Sequence, residues 1–375
     1  MRYPLLPYSQ LVYDSTRWMP QVYIFRRTVR IKGGKTKYNR WQKAIIAALT
    51  NHPVFNSRID WLGRQYAIQQ KDILRGKYHR FSLQIDGEDL LITGCLSRIL
   101  GDGTSFAILM DDIRRAYYNE PLGKDDYWGY LEYMEKLKQS EHYADSKTWL
   151  ETEFADKSIP VHPTIDRYLW TLFPPKVGIL AEDFSTVHSQ ISQFSKTNIL
   201  SLEGFFSLCV TLAIAEYNGT NAAVLTWAYM GREKSEEQRI FGSLHRDIPF
   251  CIRKSKSENH KSDLIRQVRN QIRSGIAHSD YPYTLTKPYT NRWNYAVNVL
   301  RVEDEYELIK LLPQPIEVLP APPQKYAYAL LDVEIHEKAD SLQLVYRYSA
   351  THYKESSINK FATSVRKYAE WLLEE

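Results

Sequence analysis

The sequence is poor in cysteine, has no long apolar run and concentrates no charge of one sign. Each shortage removes a class of protein. Three cysteines in 375 residues, Cys95, Cys209 and Cys251, stand far apart in apolar surroundings. They read as reduced core thiols of a cytosolic protein rather than as a disulfide framework or metal site. No apolar run approaches the roughly 20 residues needed to span a bilayer. The start, MRYPLLPYSQ, lacks the cationic stretch and apolar core of a secretory signal. A cytoplasmic chain with no membrane partner is therefore expected. Charge is nearly balanced, 49 Lys and Arg against 44 Asp and Glu, for a net +5. The densest basic run, RKSKSENHK at 253–261, reads as a solvated loop, and no nucleic-acid partner is expected. No G-x-S-x-G elbow exists, and no His or Cys pair has zinc-ligand spacing. GGKT at 33–36 lacks the earlier glycine of a phosphate loop, because position 29 is Val, so it reads as a tight turn.

Aromatics are abundant: 27 Tyr, 13 Phe and 9 Trp favour strand-rich architecture. The length suits two lobes. Tyr23, Phe25, Val29 and Ile31 share one parity, which predicts a half-buried strand ending at Gly33-Gly34. Helical spacing runs from Tyr38 until Pro53, and FSLQI and LLITGCLSRIL read as strands around the turn DGED. Phe106, Leu109, Met110, Ile113 and Tyr117 predict an amphipathic helix that Thr104 or Ser105 caps. The stretch 125–154 reads as more helix. Proline punctuation at 155–178 marks a lobe boundary. We divide the chain into a lobe at 1–160, a linker at 161–178 and a second lobe at 179–375. In the second lobe, SLEGFFSLCVTLAIAEYNG is a buried helix closed by Gly219 and AAVLTWAYM a strand. DLIRQVRNQIRSGI is a helix with a basic outer face, and LLPQPIEVLPAPPQ an irregular segment crossing to the first lobe. LLDVEI and LQLVYRY form an antiparallel pair, and a last helix runs from Ser357 to Leu373. Alternating strands and helices in each half predict two α/β sandwiches with mixed sheets.

The most informative stretch runs from Cys95 through Ser97, Arg98, Asp102 and Gly103 to Ser105. A strand delivers Arg98 to a turn shaped by Asp102 and Gly103, from which a helix leaves. It resembles the His-His-x-x-x-Asp-Gly motif of nonribosomal peptide synthetase condensation domains, in the chloramphenicol-acetyltransferase-like, CoA-dependent acyltransferase superfamily. Other resemblances follow in the family's order. They are Tyr8-Ser9-Gln10-Leu11, Asn51 to Ile59, and Tyr127 to Tyr133 with Trp149 after it. Then come Gly231-Arg232 with Phe241 to Pro249, His278-Ser279-Asp280-Tyr281-Pro282-Tyr283, and the closing strand and helix after Leu344. The resemblance implies two chloramphenicol-acetyltransferase-like lobes, each a mixed sheet packed with helices, arranged as a V around a central tunnel. It implies amide formation between thioesters carried on phosphopantetheine arms of peptidyl or acyl carrier proteins, with no cofactor or metal of the domain's own.

The departure from that motif is chemical. Ser97 and Arg98 stand where the family has its two histidines. Imidazole exchanges protons near its pKa of about 6.5, whereas a guanidinium stays charged and has no acceptor lone pair. Arg98 therefore cannot be a general base. An unpaired buried charge is costly, so a cluster of Arg98, Asp102 and Arg232 is expected, with Asp102, Gly103 and Arg232 structural. Arg246 and Asp247 replace the family's Asn-Thr, and His245 and His278 are further tunnel candidates. The same His-to-Arg change marks X domains, which resemble condensation domains, do not condense and recruit haem oxygenases. There a second acid stands at the position of Gly103, so the match is partial. The expected function is a degenerate docking domain for a carrier protein or a tailoring enzyme such as a haem oxygenase. The alternative is an active acyltransferase driven by proximity, in which Arg98 stabilises an oxyanion and His245 or His278 relays protons. A free-standing CoA-dependent acyltransferase is a further alternative.

Overall fold

The structure is a computed structural model that describes all residues except 17–22, 168–174, 255–259, 283–295, 303–308, 310–311, 314, 328 and 375. Parts of the expected loop at 253–261 and of the expected linker, together with Tyr283, lie outside the described residues. The chain begins β1 (Tyr3–Pro4), α1 (Pro7–Thr16), β2 (Ile24–Ile31), α2 (Tyr38–Asn51), β3 (Ser57–Ile59) and β4 (Arg64–Ala67). Next are β5 (His79–Asp86), β6 (Asp89–Ser97), α3 (Gly103–Tyr118), α4 (Tyr127–Leu137) and α5 (Glu141–Glu153). β7 (Val177–Asp183), α6 (His188–Thr197), α7 (Leu202–Tyr217), β8 (Ala222–Tyr229), β9 (Arg246–Arg253) and α8 (His260–Ala277) follow. The chain ends with β10 (Asn298–Arg301), β11 (Ile316–Leu319), β12 (Leu331–Lys338), β13 (Ser341–Ser349) and α9 (Glu355–Leu373).

Two compact units result. The first is Met1–Lys138, Met230–His245 and Asp304–Pro323; the second is Gln139–Tyr229, Arg246–Glu303 and Gln324–Glu375. The division expected around 160–178 thus falls after Lys138. The cause is α5, whose Leu150 packs with Phe154, Val161, Val224 and Cys251 of the second unit. The segment expected as a linker is tied down: the carbonyls of Pro160 and Val161 accept from the amides of Val224 and Val297 at 2.9 Å, and β7 starts at Val177.

In the first unit the strands line up as β11-β2-β6-β5, all antiparallel, beside a small sheet β1-β4-β3. Alternation sends Val29, Ile31, Leu90, Ile92, Leu96 and Phe81 to one face. Trp41, Ile45 and Leu49 of α2 and Leu109 and Ile113 of α3 pack into the same core, as their helical spacing requires. The turn after β2 needs glycine twice: Gly33 has φ 62, and a Cβ on Gly34 would stand 2.8 Å from that of Leu90. The segment 311–324, expected to be irregular, contains β11, which pairs antiparallel with β2 from Ile316↔Ile31 to Leu319↔Thr28. Its prolines flank the strand rather than interrupt it.

The second unit holds a six-stranded sheet, β7-β13-β12-β10-β8-β9. The β10 pairings with β12 and β8 are parallel and the others antiparallel, so parallel and antiparallel pairing mix in this unit. Helix α7 is buried from Gly204 to Ala215, a stretch that is apolar apart from Ser207 and Thr211. Among the described residues no single helix is long and apolar enough to cross a membrane. Helix α9, beginning two residues before its expected start, presents Ile358, Phe361, Ala362, Val365, Ala369 and Leu372 to the core. Cys209 and Cys251 are buried, which pushes the Cys251 thiol up to about 11, and Cys95 is half-buried.

Phe205 on α7 has no exposed surface. Phe205→Ala is expected to cost about 3–5 kcal/mol, through lost burial plus the cavity left behind. The urea midpoint of the second unit checks it.

Candidate functional site

Strand β6 ends at Ser97, whose amide donates to the Tyr78 carbonyl at 2.8 Å. The next residue, Arg98, is fixed by its backbone. Its amide donates to the Tyr23 carbonyl at 2.9 Å, and its carbonyl accepts from the Ser243 hydroxyl at 2.8 Å. The guanidinium carbon lies 4.8 Å from the centre of the Phe25 ring, a cation–π contact.

Asp102, rather than the expected Thr104 or Ser105, is the N-cap of α3. Its Oδ1 accepts from the Ser105 amide at 2.9 Å, while the Ser105 hydroxyl lies 3.3 Å from the Asp102 amide. This is a capping box with serine in the place usually held by glutamate. Arg232 completes the centre: Nη1 donates to Oδ2 at 2.9 Å and Nη2 to Oδ1 at 3.1 Å. The amides of Leu244 and His245 add bonds to Oδ2 at 2.9 and 3.2 Å. Arg232 also donates to the carbonyls of Ile240 and Gly242 at 3.2 and 2.9 Å. Burial alone would raise the Asp102 carboxyl, but Arg232, His245 and the Ser105 amide outweigh it and hold the group below its usual range.

The expected cluster of three is therefore corrected. Asp102 and Arg232 form a closed pair, with relative side-chain exposures of 4% and 3%, and Arg98 is not part of it. The carboxylate is already surrounded by nearer donors, and Arg98 extends over Phe25 instead. Gly101 and Gly103 differ in kind. A Cβ on Gly101 would stand 2.7 Å from the Phe241 ring, whereas a Cβ on Gly103 would meet nothing within 4 Å.

A second polar centre in the same unit escaped sequence reasoning. His52, fully buried, places Nδ1 2.7 Å from Asp125 Oδ2 and Nε2 3.0 Å from Asp112 Oδ2. Asp112 also pairs with Arg239, and Asp125 accepts from the Phe241 amide at 3.1 Å. Burial works against the His52 charge, yet the two carboxylates prevail and raise its pKa above the ordinary value. Asn51-His52 was visible as a motif, but nothing near it in sequence signals partners 60 and more residues away. Segment 230–245 is thus fastened twice, by Arg232 to Asp102 and by Arg239 to Asp112.

The remaining candidates are distributed as follows. His245 belongs to the first unit and sets its ring 3.8 Å from that of Tyr8. Arg246, Asp247 and His278 belong to the second. Arg246 donates to the Ser279 hydroxyl at 2.8 Å and to Asp280 at 2.6 Å, and Asp247 sits opposite Ala228 on β9. His278 stacks on Trp149 with ring centres 4.7 Å apart, and burial beside His142 lowers its pKa. Among the described residues no group of ligating side chains could hold a metal ion.

The family model described as "Condensation domain" matches residues 98–375. No curated protein matches the chain. Solved structures similar to it include the X-domain from teicoplanin biosynthesis, at 14% identity and TM-score 0.79, covering 99% of this chain and 94% of that one. The same domain in its complex with OxyB aligns at 14% identity and TM-score 0.78, covering 99% and 93%. The first condensation domain of the calcium-dependent antibiotic synthetase, bound to a substrate analogue, aligns at 13% identity and TM-score 0.73, covering 100% and 97%. At these identities the likeness is one of fold.

Asp102→Ala leaves Arg232 as an uncompensated buried charge. It is expected to cost about 3–5 kcal/mol in a denaturation series. The His52 pKa is raised on folding, so its stabilisation is complete below about 6.5 and is lost as pH rises through the folded value. NMR of the imidazole should show titration above that of a free ring, and the urea midpoint should fall across that same range.

Proposed function

The chain belongs to the condensation domain family, and from that membership we propose that it is a catalytically degenerate member, a docking or scaffold domain in nonribosomal peptide biosynthesis. The observation that carries this reading is Arg98. It occupies the motif position at which the family places the imidazole that assists amine attack. A guanidinium, protonated up to a pKa of about 12 or more, can neither accept the amine proton nor return it. Asp102 does not replace that function, since its oxygens are occupied by Arg232, Ser105 and two backbone amides. What remains is a stable frame that presents a surface to partners. The solved complex of the teicoplanin X-domain with OxyB supports a tailoring enzyme as one partner. A carrier protein bearing its phosphopantetheine arm is the other, and Arg266 and Arg273, exposed on α8, give an acidic carrier a basic surface to meet.

One observation favours a second reading, acyl transfer without a histidine base. Arg98 is not drawn into the Asp102 pair, and its guanidinium lies over the Phe25 ring. A cation there can stabilise a tetrahedral oxyanion while two tethered thioesters react by proximity.

One experiment separates the two. Wild-type protein and Arg98→His are given carrier-bound donor and acceptor thioesters, and amide product and carrier association are both measured. We expect wild type to bind a loaded carrier by calorimetry yet form no amide above the carriers alone. Amide formation by wild type overturns the scaffold reading.

A further inference from the structure

The unpaired edge of a sheet presents backbone donors and acceptors to any extended chain, and proteins commonly blunt it. Two edges here are blunted. On β9, the Arg253 amide donates to Gln267 Oε1 at 3.0 Å and the Cys251 amide to Gln271 Oε1 at 3.2 Å, so α8 covers that edge. On β11, Pro315 and Pro320 flank the strand. Strand β5, the last in the order β11-β2-β6-β5, is covered at its start. There the Phe81 amide donates to the Leu74 carbonyl at 2.8 Å and the Gly76 amide to the His79 carbonyl at 3.0 Å. Backbone groups of alternate residues point to the same side of a strand. The amides and carbonyls of Leu83 and Ile85 therefore point outward as the Phe81 amide does, and among the described residues no strand pairs with them.

The side chains along this edge have two characters. On the core face, burial falls away from Phe81 through half-buried Leu83 to Ile85, which is 48% exposed. On the opposite face the ladder sets Arg26, Cys95, Arg80 and Arg75 in one row across neighbouring segments. Arg75 and Arg80 are directly opposite, and like charges so placed repel. Among the described residues Arg75 alone of the three arginines has an acidic partner, Asp72 at 3.9 Å, and Arg26 and Arg80 are exposed. An acidic neighbour would relieve that repulsion.

We propose that β5 receives an extended acidic peptide as a further strand of this sheet, its apolar side chains beside Leu83 and Ile85 and its carboxylates on the face of the three arginines. Alternation makes the two demands compatible. Successive side chains of a strand fall on opposite faces, so the partner reads acidic, apolar, acidic, apolar. Paired antiparallel, its apolar residues stand opposite Leu83 and Ile85 and exchange the backbone hydrogen bonds. This surface is separate from α8 and does not depend on the docking role, so the test contains no carrier protein.

The full chain is titrated, by fluorescence anisotropy, with a labelled Asp-Val-Asp-Val-Asp peptide, its Lys-Val-Lys-Val-Lys counterpart, and the acidic peptide N-methylated at both valines. The acidic peptide should saturate one site and bind about tenfold more tightly than either control. Arg80→Glu, a change at an exposed side chain, should weaken it about tenfold and tighten binding of the lysine peptide. Leu83→Pro, which removes one outward amide, should weaken the acidic peptide as well. A melting curve reports whether that variant folds, and the N-methylated peptide puts the same question to wild type. Absence of saturable binding of the acidic peptide by folded wild type, equal binding of the N-methylated peptide, or an acidic peptide indifferent to Arg80→Glu overturns the proposal.

Discussion

The Asp102 carboxylate organises the first unit. Six donors converge on it: both Arg232 Nη groups, the Ser105 amide and hydroxyl, and the amides of Leu244 and His245. A buried carboxylate with fewer partners would be strongly destabilising, and Arg232 would be equally so without Asp102. Satisfied together, they fix where α3 begins and hold residues 232–245 against that end of the helix. The end of β6 and the start of α3 are thereby set, and with them the backbone of Arg98, whose carbonyl takes the Ser243 hydroxyl. This frame holds with a guanidinium at position 98.

That separation of frame from chemistry explains why the fold is easier to assign than the activity. The features that hold the turn, Asp102, Ser105 and Arg232, are indifferent to whether an imidazole or a guanidinium follows Ser97. A change at position 98 can remove proton transfer without loosening the structure around it. The stacked His278 and Trp149 and the Arg246–Asp280 pair in the second unit have a similar character. These residues are engaged with protein partners and contribute order where they stand.

Much of this was legible in the chain because the signals were local. Parity marked β2 and β6, helical spacing marked α2, α3 and α9, and the turn between β5 and β6 announced itself as DGED. Short or weakly patterned elements did not show: α1 and α6 lack a clean apolar stripe, and β3, β4 and β11 are too short to establish a period. The division into units was obscured for a related reason. Proline density at 155–178 suggested a connection, whereas Val161 is held by a backbone bond to Val297 that no local rule reveals. At the site, Gly231-Arg232 gave the partner of Asp102, but the His52 centre depends on Asp112, Asp125 and Arg239, which are brought together only by folding.

The first unit is assembled from three separate stretches of chain, and this bears on its synthesis. When residue 138 leaves the ribosome, the edge of β2 still awaits β11, and the carboxylates of Asp102 and Asp112 have not yet met Arg232 and Arg239. The nascent N-terminal portion therefore exposes an open strand edge while some 180 further residues are translated, and Asp102 waits about half as long for Arg232. Completion of this unit therefore comes well after its first residues are made.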